Sequence, residues 1–395
     1  MHSSTFLVDA RGTQQGYKQH SIRGLGHYAL HVLEELPHVL EPARLRYLIQ
    51  KGSAVPESLQ RSGVQFIEHD ARLLPVTGAR LLDDQFRLPR TLRTTSCALG
   101  HFFFHQDSPL FAPFPVVLTI PDAITFANAQ LYGLRQRAKY TVVHILERYL
   151  ARSAAQIVTL SEFSKRDIVR FLKVDPANVH VTPLGVEQRF FSPEDPSRRR
   201  SVLERYGLGG DFLLYVGGID PRKNIRALLH AMNLLVRDQG RPVKLALAGR
   251  VETQREYPDL LKAIDQLCPR DAVLLLGYVP DEDLPSLYAA ARVFVFPSLY
   301  EGFGLPVLQA MAAGTPVVTT SCSSIPEVAG DAVLYADPGD PRDLAFQIGR
   351  ILDDIALAGE LSRQGQMRAA QFTWRETAAQ TARVYETVAT KSQTA

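Results

Sequence analysis

Four short stretches of this 395-residue chain carry residue types able to act together on an anionic, hydroxyl-rich ligand. The most informative is Ser298 to Ala313, SLYEGFGLPVLQAMAA, which follows the apolar run Val293 to Phe296. Gly302 and Gly304 allow a tight turn and close approach of backbone to a ligand. Pro306 suits the first turn of a helix that continues through Val307, Leu308, Ala310 and Met311. The free N–H groups at such a helix start attract anions. Glu301, at the mouth of the turn, can accept hydrogen bonds from sugar hydroxyls, and Gln309 lies on the first helical turn. Strand, glycine turn and helix also occur together without a ligand, so spacing alone leaves a structural reading open.

The second stretch, Asp220-Pro221-Arg222-Lys223-Asn224, follows a strand-like run ending in Gly217-Gly218. Asp220 is expected to cap a helix with Pro221 at its first position. Arg222 and Lys223 then stand where the helix dipole disfavours cations. A diphosphate would make sense of them, Arg as a fork and Lys as a point charge. Two ordinary surface cations are the alternative. The third stretch, Arg23-Gly24-Leu25-Gly26-His27-Tyr28-Ala29, contains G-x-G-x-x-A. A dinucleotide fingerprint follows its strand immediately, whereas residues 11–23 intervene here, which argues against that use. In the fourth, Leu118 to Asp122, the carboxylate of Asp122 either binds a sugar hydroxyl or caps a turn. His101 and His105, in GHFFFHQD, are either satisfied structural histidines, the favoured reading, or functional groups near Asp122. Ser324-Ile325-Pro326-Glu327 reads as a capping box.

These stretches need strands and helices to hold them. Phe6 to Val8, Arg46 to Gln50, Val64 to Ile67, Val116 to Ile120 and Gln156 to Leu160 are strand-like, with helical patterns between them at Tyr28 to Leu36 and Ala138 to Ala151. A second series runs Phe212 to Val216, Lys244 to Ala248, Val273 to Leu276, Val293 to Phe296 and Pro316 to Thr319. Its first helix has Ile225, Leu228, Leu229, Met232, Leu235 and Val236 on one face. Alternating strands and helices predict parallel α/β architecture. The polar segment Ser192 to Arg200, SPEDPSRRR, reads as a linker, giving an N-terminal domain over 1–195 and a C-terminal domain over 196–372. Residues 373–395 form a final helix and tail, with a crossing back to the first domain left open. Ligands in such sheets bind outside the carboxyl ends of the strands, so a cleft between two such domains is expected to hold them.

Composition narrows the partners. Lys and Arg number 44 against 41 Asp and Glu, too balanced to point to nucleic acid. The three cysteines are far apart, which suits a reducing compartment and no zinc pair. The N-terminus has no basic, apolar leader pattern, and no apolar stretch approaches the ~20 residues that span a bilayer. A cytoplasmic protein is expected, with peripheral contact at the inner membrane face left open. The basic helix carrying Arg135, Arg137, Lys139, Arg148 and Arg152 is either a solvated face or such a contact.

Glu301-Gly302-Phe303-Gly304-Leu305-Pro306 resembles the signature loop of the retaining glycosyltransferases of family 4, the group 1 type with the GT-B fold. TPVV (315–318), SSIPEVAGDA (323–332), LLLGYVPDEDL (274–284) and YVGGIDPRKN (215–224) are similar to that family too. VTLSEFSKRDI (158–168) and TPLGV (182–186) extend the resemblance over nearly the whole chain. The resemblance implies two doubly wound Rossmann-like domains with an interdomain cleft. It implies transfer of a hexose-type sugar from a nucleotide diphosphate to a glycan, lipid-linked or small-molecule acceptor, with retention of configuration, in polysaccharide biosynthesis. Glu301 and Lys223 match catalytic positions, and the resemblance lets Arg222 take the role of the family's catalytic arginine; Gly302, Phe303, Gly304 and Leu305 match the donor-binding loop, and Gln309 and Gly218 stand at two further donor-binding positions. Gly24, Gly26 and Asp122 match the N-domain side of the cleft. No cofactor and no metal are expected, since no acidic cluster has metal spacing. Three departures stand out: Gln309 replaces the family's second glutamate, Gly218 its arginine, and Pro121 the histidine before Asp122. They motivate the alternative of a non-catalytic nucleotide-sugar-binding protein.

Overall fold

Strands buried on both faces are rich in Val, Ile, Leu and Phe, and such runs pair in parallel when helices cover them. In the computed structural model, which describes residues 4–15, 17, 24–70, 79–127, 134–191 and 195–394, this happens twice. The first sheet comprises β1 (Phe6–Asp9), β2 (Leu45–Gln50), β3 (Gln65–His69), β4 (Leu99–Phe102), β5 (Val116–Thr119), β6 (Gln156–Thr159) and β7 (Val179–Val181). Its order is β3-β2-β1-β4-β5-β6-β7, with every pair parallel. The second comprises β8 (Phe212–Val216), β9 (Lys244–Ala248), β10 (Val273–Gly277), β11 (Val293–Phe296), β12 (Val317–Thr320) and β13 (Leu334–Ala336). Its order, β10-β9-β8-β11-β12-β13, repeats the first, again all parallel. Both are doubly wound: strand order reverses between β1 and β4, and between β8 and β11. At such switch points the following loops diverge and leave a crevice.

The chain divides into two units, Met1–Gly185 with Thr373–Ala395, and Val186–Phe372. The first unit therefore ends before the expected 195/196 boundary. Within it, Gly185 lies so close to the backbone of Thr373 and Trp374 that a Cβ would come within 2.1 Å of the Trp374 nitrogen. The final helix, Trp374–Thr394, belongs to the same unit; its Tyr385 is fully buried and its Glu386 pairs with Arg44 at 2.7 Å. Residues 192–194 of the expected linker lie outside the described residues; from Pro196 on, its residues open a helix, Pro196–Arg205, in the second unit. The Asp195 carboxylate accepts from the Ser197 N–H at 3.0 Å and Pro196 starts the helix, so the apparent linker residues are a capping sequence. Arg198 donates to the Glu282 carbonyl at 2.9 Å and Arg205 to Asp283 at 2.7 Å, so part of the arginine run serves packing. The basic helix is Leu134–Ser153; Arg148 and Arg152 donate to the carbonyls of Phe171 and Leu172, closing the C-terminus of the helix Glu162–Leu172. The side chains of Arg135, Arg137 and Lys139 lie outside the described residues. No described helix is long and apolar enough to cross a membrane.

Candidate active site

In the second unit, the loops after β8 and β11 leave the sheet on either side of its switch point. The backbone ties them together: the Leu299 N–H donates to the Arg222 carbonyl at 2.7 Å. The side chains do the same more strongly. Lys223 Nζ lies 2.6 Å from Glu301 Oε1, and Arg222 Nη1 lies 3.0 Å from that oxygen and 2.9 Å from the Tyr300 carbonyl. The Ser298 hydroxyl donates to the same Oε1. Lys223 also sits 4.8 Å over the Phe296 ring. Burial pushes the Glu301 carboxyl up, but Lys223 and Arg222 outweigh it and hold the group below its usual range. Burial also depresses Lys223, with Arg222 adding to the effect against the pull of Glu301. Sequence reasoning named Glu301, Arg222 and Lys223, and the structure brings all three together; it did not name Ser298.

The local folding differs from expectation in one respect. Asp220 accepts from the Arg222 N–H at 3.2 Å, but it caps a single 3-10 turn, Pro221–Lys223. Asn224 then adopts a left-handed conformation (φ 57°), and the helix Ile225–Asn233 starts after it. The cations are thus on a tight turn before the helix. That turn aims Lys223 inward, where the first helical turn would have presented it along the helix surface.

The glycine loop is also held by neighbours. Gly304 has φ 110°, and a Cβ there would come within 2.6 Å of Ile325 Cδ1, so only glycine fits. The Ser323 hydroxyl accepts from the Glu301 N–H at 2.8 Å. Ser324 donates to the carbonyls of Glu301 and Phe303, both at 2.9 Å. Its side chain makes no cap bond to the helix Ile325–Ala329, so the expected capping box gives way to a clamp on the loop. Phe303 is buried edge-on against Phe372, and Leu305 opens the helix Leu305–Ala312. On that helix Gln309 is buried, and its Oε1 accepts from the Tyr288 hydroxyl at 3.3 Å. Gly218 accepts from the Tyr215 hydroxyl at 2.5 Å. A side chain at 218 would meet the amide of Gln254, whose oxygen accepts from the Ile219 N–H at 2.8 Å. Sequence reading missed Ser323, Tyr288 and Gln254; a serine pair directly before Ile325-Pro326 was the only signal of the clamp.

The first unit's candidates are more dispersed. Gly24 is the N-cap of the helix Leu25–Val39 (φ 54°), and Gly26 is buried in its first turn. Arg23 lies outside the described residues. Asp122 accepts from the Ile124 N–H at 3.0 Å, the turn-capping role. His101 is fully buried, with Nδ1 2.6 Å from the Tyr385 hydroxyl and Nε2 2.8 Å from that of Thr119. Burial lowers its pKa to about 3, so it is a neutral structural group. His105 pairs with Glu147 at 2.9 Å.

The second switch-point sheet, with a buried carboxylate on its glycine loop facing two cations, lies within the match to a known family. The model of the "Glycosyl transferases group 1" family matches residues 205–368. The O-antigen chain mannosyltransferase B of Escherichia coli is 32% identical over 378 residues, covering 93% of this chain and 97% of that one.

The chain belongs to the group 1 glycosyltransferases.

The MMP alpha-(1->4)-mannosyltransferase of Mycolicibacterium hassiacum is 34% identical over 284 residues, 69% of this chain and 65% of that protein. Among solved structures, the sucrose-phosphate synthase of Thermosynechococcus elongatus superposes with a TM-score of 0.75 at 20% identity, covering 97% and 98% of the two chains. That likeness is one of fold: two Rossmann-like domains of the GT-B class. A group 1 glycosyltransferase is an enzyme, and the cluster around Glu301 is its candidate active site.

Proposed function

We propose that this glycosyltransferase transfers a hexosyl group, mannosyl being the first to test, from a nucleotide diphosphate to a growing saccharide, with retention of configuration. The second unit binds the donor and the first unit the acceptor. The single observation that carries this reading is the convergence of Lys223, Arg222 and Ser298 on one oxygen of Glu301 at the switch point of the second sheet. Lys223 and Arg222 offset the charge of the leaving diphosphate, and this electrostatic term is commonly the largest in transfer reactions. The second oxygen of Glu301 accepts from hydroxyls of the sugar, and Gln309 serves the donor's ribose. The backbone at Gly302 and Gly304 lets the loop approach the donor closely. No cofactor is required, and the two cations take the part that a metal plays in other transferases. The acceptor chemistry follows the relatives, among which O-antigen assembly is represented.

The test is a panel of GDP-, UDP- and ADP-hexoses scored by protection against thermal unfolding and by turnover with a mannose-terminated oligosaccharide. A ligand that binds only the native state raises its stability. Turnover of one donor, an α-linked product from an α-linked donor, and a rate within about twofold after EDTA treatment are expected. Loss of the rate in EDTA with restoration by manganese contradicts the charge assignment. Binding of donors without turnover favours a binding protein instead.

A further inference from the structure

In the first unit, a cavity of about 260 Å³ lies among the edge strand β7, the helix Glu162–Leu172 and the final helix. Its walls include Lys165, His180 and Arg383 together with Thr182, Gln380 and Thr387. We infer that this cavity is a binding site for a phosphoryl group, whether carried on a soluble ester or on a lipid headgroup.

Three cationic or protonatable side chains from three separate elements line one small, polar space. Lys165, on the helix Glu162–Leu172, has no ion pair among the described residues. Arg383 has one acidic partner, Glu376 at 2.7 Å, which also accepts from Gln380 Nε2 at 3.1 Å. Lys391, about two turns beyond Arg383 on the final helix, also acts on His180. The charged groups facing His180 are therefore Lys165, Arg383 and Lys391, with Glu376 as the acid beyond Arg383.

The imidazole is oriented for the purpose. Gln156 Oε1 accepts from His180 Nε2, and Gln156 Nε2 donates to Asn178 Oδ1 at 3.3 Å, which fixes the amide. Nε2 is thus the ring nitrogen held by Gln156. Burial and then Lys165 and Lys391 hold His180 below its ordinary range, so an empty cavity keeps it neutral. An anion brought among these cations reverses the balance and favours the imidazolium. Binding is thus coupled to proton uptake by the imidazole, and for an anion of fixed charge it tightens as pH falls through the titration of His180.

The test uses the full chain and inorganic phosphate as the probe. The His180 ring, assigned with His180→Gln, is followed by NMR through a pH titration with and without phosphate, and affinity is measured by calorimetry. Phosphate is expected to raise the pKa of His180. Lys165→Ala should weaken it about tenfold or more, the scale of one lost charge-assisted hydrogen bond. Flotation with phosphatidylglycerol vesicles, but not phosphatidylcholine vesicles, that is lost in Lys165→Ala assigns the group to a lipid; phosphate binding without flotation assigns it to a soluble ester. A His180 unmoved by phosphate, or equal affinity in wild type and Lys165→Ala, overturns the inference.

Discussion

The two sheets share one strand order, yet their switch points are built to opposite ends. After β1, Arg11 is only 1% exposed, and all three of its guanidinium nitrogens donate: to Asp9 at 2.8 Å, to Asp84 at 2.6 Å, and to the Asp107 carbonyl at 3.1 Å. It ties together the segments that follow β1 and β4 and the helix Ala79–Phe86. Acids dominate there, and burial lifts the Asp84 carboxyl to about 6 despite Arg11 beside it. After β8 and β11 the arrangement is reversed. Two cations share one carboxylate oxygen, with Asp220 farther out at 3.6 Å from Arg222. Their side chains keep 19% and 10% exposure. Among the described residues, the cation of the first switch point is fully paired, whereas the cations of the second keep part of their surface exposed. Topology locates the crevice, and side-chain charge sets the two switch points apart.

The comparison breaks most visibly at Arg11. Arg11→Ala leaves buried carboxylates without their cation and should cost about 3–5 kcal/mol, the scale of breaking a buried ion pair. Differential scanning calorimetry should show the first unit melting early while the second keeps its transition. A fall in donor binding with no loss of stability would make Arg11 part of the site.

Acid should separate the units next. His101 has a folded pKa of about 3 against about 6.5 unfolded. Between those values the unfolded chain binds more protons, so stability falls as pH drops below about 6.5. By pH 5 the loss from this group is about 2 kcal/mol. Asp84 works the other way, since its raised pKa favours the folded state below about 6. Comparing wild type with His101→Gln at pH 7 and pH 5 isolates the histidine; an equal pH response in both proteins would mean the ring is not held neutral.

The smallest expected effect lies at Gln309. Its oxygen is already engaged by Tyr288 at 3.3 Å, which leaves the NH₂ group to donate to a ribose hydroxyl. A carboxylate there would add charge assistance, worth on the order of 1 kcal/mol. Gln309→Glu should lower KM for the donor about fivefold and leave kcat nearly unchanged. Creation of activity in an otherwise inert protein would mean the amide is a disabling change.

Much of this was legible in the residues. Strands such as Phe212–Val216 and Val293–Phe296 are uninterrupted apolar runs and fell where read. Leu99–Phe102, Val179–Val181 and Leu334–Ala336 are short, and two of them carry a Gly or His that hides the pattern; they are strands because neighbours pair with them. The cluster of Glu301, Arg222 and Lys223 was readable because a glycine turn and a Pro-Arg-Lys turn have few local solutions. Ser298, Ser323 and Gln254 were not, since a hydroxyl or amide becomes a clamp only through contacts distant in sequence. Pro196 to Arg200 looked like part of a linker because they are polar and charged; the one buried residue of their helix, Val202, comes after them.

The most direct test of the central claim is to measure GDP and UDP affinity and donor turnover in wild type, Lys223→Ala and Glu301→Ala. Lys223→Ala should lose about 10²–10³ in turnover, the scale of one preorganised charge stabiliser, and bind free diphosphate more weakly while remaining folded. Glu301→Ala frees Lys223 and Arg222 from their carboxylate, so it should be less stable alone yet keep its affinity for the diphosphate while losing turnover. Full turnover in Lys223→Ala, or parallel loss of free diphosphate and donor affinity in Glu301→Ala, would contradict the account.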